Sequence, residues 1–85
     1  MLFKTKKFHK NTHALLLIQS AKENDVKSFA DIIDSQRLDY NMDYLDLYEQ
    51  DGIWYAEFVC HRKHKAKASR FISSELINFR NKQGY

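Results

Sequence analysis

The alternation of apolar and polar positions is clearest in residues 42–49 and 53–60, with Asp51-Gly52 between them. That is the pattern of an antiparallel hairpin, and Asp-Gly suits a type I′ turn because both central positions need φ > 0. A two-residue turn pairs Gln50 with Ile53, Glu49 with Trp54, Tyr48 with Tyr55, Leu47 with Ala56, Asp46 with Glu57, Leu45 with Phe58 and Tyr44 with Val59. One face then carries Leu45, Leu47, Trp54, Ala56, Phe58 and Cys60 and is expected to meet the core. The other carries Tyr44, Tyr48 and Tyr55 around Asp46 and Glu57. Carboxylates placed directly opposite repel, so a cation is expected beside them, with Lys4 or Lys6 on a neighbouring strand as the chain's own source.

The flanking segments follow a different period. Residues 1–8 alternate loosely and read as an edge strand guarded by lysines, with residues 1–12 as a basic arm if that strand does not pair. Asn11 or Thr12 can cap a helix over residues 14–23, where Ala14, Leu17, Ile18 and Ala21 fall at helical spacing. A buried strand over 14–19, followed by Ser20-Ala21-Lys22-Glu23 as a capping box, is the rival reading, and so short a run does not separate the two. Asp25 is expected to cap a second helix that places Val26, Phe29, Ala30 and Ile33 on one face and ends around residues 36–38. Ala68, Phe71, Ile72, Leu76 and Phe79 line one face of a helix over about residues 66–81, closed by Arg80 and Lys82 and released at Gly84.

Two partial resemblances bear on these elements. The segment LIQSAKENDVKSFADIIDSQRLDY, residues 17–40, resembles the helix-pair part of one ankyrin repeat, without the family's turn glycine or proline-initiated first helix. It implies a helix pair and no array, because a second copy is absent and a lone repeat does not bury its own face. The order hairpin, basic segment, helix is similar to the second half of a double-stranded RNA-binding domain, with KHKAKAS at residues 63–69 as the counterpart of its lysine-rich helix start. A histidine stands where the second lysine would be, Arg70 and Phe71 replace the small residues that follow, and there is no room for a third strand after Cys60. The likeness implies phosphate contact at the helix start. The expected architecture is α+β: one small domain over residues 1–85, with a helix pair, an antiparallel hairpin that the N-terminus extends to three strands, and a C-terminal helix packed on the sheet.

Composition permits such a core without staples. The chain has 85 residues, 44% of them hydrophobic, with six Phe and five Tyr, near the lower size limit for a self-sufficient domain. The single Cys60 has no intrachain disulfide partner, which suggests a reducing, cytoplasmic setting. No apolar run nears the eighteen or so residues of a membrane span, and the five apolar residues 14–18 are too few for a signal peptide's apolar region.

Charge changes the picture more. Residues 1–13 hold four lysines and no acid, residues 14–60 hold three basic and ten acidic groups, and residues 61–85 hold seven basic and one acidic, leaving a net +3. Either the basic ends fold back on the acidic middle and neutralise it, or they form a surface for a polyanion. Cations crowding a helix start oppose the macrodipole, and a bound phosphate would turn that penalty into a site. The leading expectation is therefore a non-enzymatic protein that binds DNA or RNA backbone through Arg62, Lys63, Lys65, Lys67 and Arg70, joined by Lys4, Lys6, Lys7 and Lys10. The alternative is an inhibitor or adaptor of the phage or mobile-element kind, docking Tyr44, Asp46, Tyr48, Tyr55 and Glu57 on a partner protein. His9-x3-His13 and Cys60-x3-His64 could converge on zinc, but their spacing matches no zinc signature, so neither metal nor cofactor is expected. With glycine only at 52 and 84, no Gly-rich nucleotide loop exists.

Overall fold

The apolar run at residues 14–18 is the centre of a sheet. In the computed structural model, which describes residues 1–82, the elements are β1 Leu2–Phe8, β2 His13–Ser20, α1 Glu23–Ser35, a 3-10 turn Arg37–Tyr40, β3 Met42–Gln50, β4 Ile53–His61, a second 3-10 turn Arg62–His64 and α2 Lys65–Lys82. The strands form one antiparallel sheet in the order β1-β2-β4-β3. The fold is a small α+β domain with four strands, and residues 14–20 belong to a strand and not to the first member of a helix pair. The reason is tertiary: β1 and β4 cover both edges of β2, while Ala14, Leu16 and Ile18 are buried on one face and Leu17, 3% exposed, on the other. A short continuous apolar run suits a strand enclosed in this way.

Both helices cover one face of the sheet. Ala14, Leu16 and Ile18, with Met42, Ala56, Phe58 and Cys60, pack against Val26, Phe29, Ala30 and Ile33 of α1 and against Ala68, Phe71, Ile72, Leu76 and Phe79 of α2. Phe29 and Phe79 meet edge to face at 5.4 Å, joining the helices. The apolar face expected for α2 is the face it buries; its expected release at Gly84 lies outside the described residues. The helix α1 begins before Asp25: Lys22 holds the extended cap position, and Glu23 and Asp25 both lie in the first turn, where negative charge suits the macrodipole. The expected capping box does not form, because the Ser20 hydroxyl accepts from the Lys22 backbone N–H at 3.1 Å and the helix starts only at Glu23.

The hairpin keeps its expected turn and five of its seven expected cross-strand pairs. Asp51 and Gly52 have φ of 53° and 82°, and the pairs from Gln50–Ile53 to Asp46–Glu57 are as the turn dictates. Leu45 is then left out of the ladder as a bulge, so Tyr44 pairs with Phe58, Asp43 with Val59 and Met42 with Cys60. The one-residue shift exchanges faces: Leu45 is 46% exposed, while Tyr44 stacks on Phe58 at 4.5 Å. The core thereby takes in Met42 and much of Tyr44 in place of one leucine, a larger apolar area. Cys60 stays among the core residues, and burial pushes its thiol up, with Lys65 pulling weakly the other way. It packs as a small apolar group. Among the described residues no helix is long and apolar enough to cross a membrane.

Candidate functional site

The two basic ends of the chain meet at one end of the sheet. In the β1–β2 turn, His9, Lys10 and Asn11 all have positive φ, at 48°, 53° and 70°, and both the backbone N–H and the hydroxyl of Thr12 donate to the His9 carbonyl. The Thr12 carbonyl in turn accepts from the Arg62 N–H at 3.0 Å, fastening this turn to the β4–α2 junction. His61 caps that junction, its Nδ1 accepting from the Lys63 N–H at 3.1 Å. These bonds bring Lys6, Lys7, Asn11 and His13 beside Arg62 and Lys65, around a crevice of about 70 Å³ that no carboxylate lines.

The remaining basic residues divide. Lys10 is exposed in the β1–β2 turn and Lys63 in the junction, each next in sequence to a crevice residue, Asn11 and Arg62, but neither lines the crevice itself. Lys67 lies elsewhere, with its Nζ over the Tyr40 ring at 5.6 Å, and Lys4 and Arg70 are exposed but do not line the crevice. Three ion pairs, Glu23–Lys27, Asp34–Arg37 and Asp43–Arg37, lie inside the acidic middle.

The hairpin's outer face keeps four of its five expected residues. Tyr48 stacks on Tyr55 at 5.1 Å, and Asp46 stands opposite Glu57; Tyr44 is removed by the bulge to the helix-covered face. The cation expected beside the two carboxylates is replaced by a hydroxyl, since Tyr48 donates to Glu57 at 2.8 Å. Partial burial and then this bond push the Tyr48 phenol up to about 12, with the charges of Glu57, Tyr55 and Asp46 adding to it. Asp46 accepts from the Leu47 N–H.

Beside the crevice, on the outer face, lies a concavity of about 580 Å³. Its walls include all four histidines, His9, His13, His61 and His64, over Phe8, Leu45 and Val59. The imidazoles of His9 and His13, and of His13 and His61, have centroids 5.5 Å apart, and Phe8 leans on His9 at 4.2 Å. The four residues weighed for zinc, His9, His13, Cys60 and His64, all line this concavity, Cys60 at only 3% exposure. Among the described residues no three His, Cys, Asp or Glu side chains are placed to hold a metal. Sequence spacing singled out His9, His13 and His64 but not the role of His61, which enters only through the β2–β4 register.

His61 carries a pH dependence. Desolvation, then the charges of Lys63, His13, His64 and Arg62, hold its imidazole below the ordinary value. As pH falls from about 7 to about 5 the unfolded chain takes up this proton first, so stability is lost across that window. Thermal melts should show Tm falling between these pH values, and less steeply in His61→Asn, which keeps an acceptor for the Lys63 N–H. An equal fall in both proteins assigns the dependence to another group.

Comparison with family models, curated proteins and solved structures finds no match to this chain.

Proposed function

We propose that this chain is a small non-catalytic protein that binds a nucleic-acid backbone, with phosphates lodged between the β1–β2 turn and the start of α2. The observation that carries the reading is the crevice lined by Lys6, Lys7, Arg62 and Lys65, which two distant segments build without a neutralising carboxylate. Unpaired cations held close together repel one another, and a phosphate relieves that repulsion while accepting charge-assisted hydrogen bonds. The backbone bond from Arg62 to Thr12 presets the spacing, so less ordering is needed on binding.

An anisotropy titration against labelled DNA and RNA over a salt series tests this reading. Four phosphate contacts predict a slope of log K against log salt near −3 for a single strand, about a 50-fold loss between roughly 50 and 200 mM salt. Absence of measurable binding at the low-salt end refutes the proposal. The protein-docking alternative retains the stacked Tyr48–Tyr55 pair beside Asp46 and Glu57. A partner captured by the wild type and lost on Tyr48→Ala would favour it.

A further inference from the structure

We propose that the histidine-lined concavity receives an unpaired base, so that the ligand is single-stranded. This inference rests on the backbone-binding reading above and adds which form of nucleic acid the site accepts. The concavity and the crevice share His13 as a common wall. A strand whose phosphate lies between Lys7, Arg62 and Lys65 therefore carries its base to the edge of a recess on the outer face of the sheet.

The recess suits that occupant in size, surface and charge. A volume of about 580 Å³ falls in the range of small-ligand sites. Its walls offer flat π surfaces from Phe8 and the imidazoles above an apolar floor of Leu45 and Val59. Bases stack on such surfaces irrespective of sequence, and paired bases inside a duplex do not present their faces. Asn41 and Asp43 add hydrogen-bonding groups at the β3 side, Asp43 being largely exposed and 3.7 Å from Arg37.

Charge also argues against a duplex. Across the sheet from the lysines of β1, the outer face carries Asp43 and Asp46 on β3 and Glu57 on the adjacent β4. A second phosphate backbone spanning this end would approach those carboxylates, whereas one strand keeps its phosphates on the β1–α2 side. The bulge at Leu45 contributes directly, because it places an apolar side chain on the recess floor that a regular ladder would have turned into the core.

Three probes of equal sequence length decide the matter by anisotropy at one salt concentration: a single-stranded oligonucleotide, its duplex, and an abasic strand with the same phosphates and no bases. The single strand is expected to bind roughly 5- to 160-fold more tightly than the abasic strand, the range of one stacked base, and more tightly than the duplex. Phe8→Ala and the exposed His9→Ala should each remove part of that advantage while leaving abasic binding and its salt slope unchanged. Equal affinity for the single and abasic strands, or tighter binding of the duplex, overturns the base pocket and leaves the phosphate crevice standing. If neither strand shows salt-dependent binding, the backbone reading itself fails.

Discussion

Phe58→Ala is expected to destabilise the domain by about 3–5 kcal/mol, against a total of about 5–15 kcal/mol for a protein of ordinary stability. Phe58 is fully buried on β4, with Leu16 opposite on β2 and Tyr44 opposite on β3. Its ring lies on the Tyr44 ring at 4.5 Å, so truncation removes the stacking partner that holds Tyr44 on the core face. The cavity opens at the middle of the sheet, where neighbours on both sides are fixed by ladder hydrogen bonds and collapse poorly. Urea denaturation followed by circular dichroism measures the loss; a cost below about 1 kcal/mol would mean that the core repacks around the site. Relaxation of the Leu45 bulge into a regular ladder is the rearrangement to look for, since it would turn Leu45 inward and Tyr44 outward.

Arg62→Glu with Lys65→Glu should abolish most oligonucleotide binding while leaving the fold intact. Each lost charge-assisted contact removes about 1.5–3 kcal/mol, so the pair lowers affinity on the order of 100-fold or more at low salt. It should also flatten the salt slope by about 1.4, two phosphates' worth for a single strand. Stability should move in the opposite direction. No acidic residue occupies the first turn of α2, and glutamate there interacts favourably with the macrodipole by about 0.3–1 kcal/mol. The bond that fastens the two segments uses the backbone of Arg62 and survives the substitution. A variant that melts higher and binds as wild type would place the phosphate contacts elsewhere, with Lys67 and Arg70 as the next residues to test.

Local physics made several elements legible. The Asp51-Gly52 turn, the pairs from Gln50–Ile53 to Asp46–Glu57 and the buried face of α2 each follow from residues close in sequence. The basic residues could be named in the same way, because charge is read directly from composition. The helix reading of residues 14–23 gave way to the rival strand for a reason of range: five apolar residues satisfy either period, and the arbiter is the pairing of β2 with β1 and with β4, whose partners lie 34 to 48 residues downstream. The regular ladder expected through Leu45 failed for another. A hairpin's register is set at its turn, but its continuation depends on which side chains the helices reward with burial, and here Met42 and Tyr44 outweigh Leu45.

What the sequence determined alone is thus the hairpin turn, the amphipathic faces of both helices and the segregation of charge into two basic ends and an acidic middle. Only the tertiary structure decided where that charge goes. The antiparallel order β1-β2-β4-β3 places the β1–β2 turn and the start of α2 at the same end of the sheet, and the hydrogen bond from Arg62 to Thr12 closes them together. The same register sets His61 beside His13 and keeps Cys60 among the core residues. Contacts between distant segments are not encoded in local period or spacing. They arise when buried area selects one strand order among those the local elements allow.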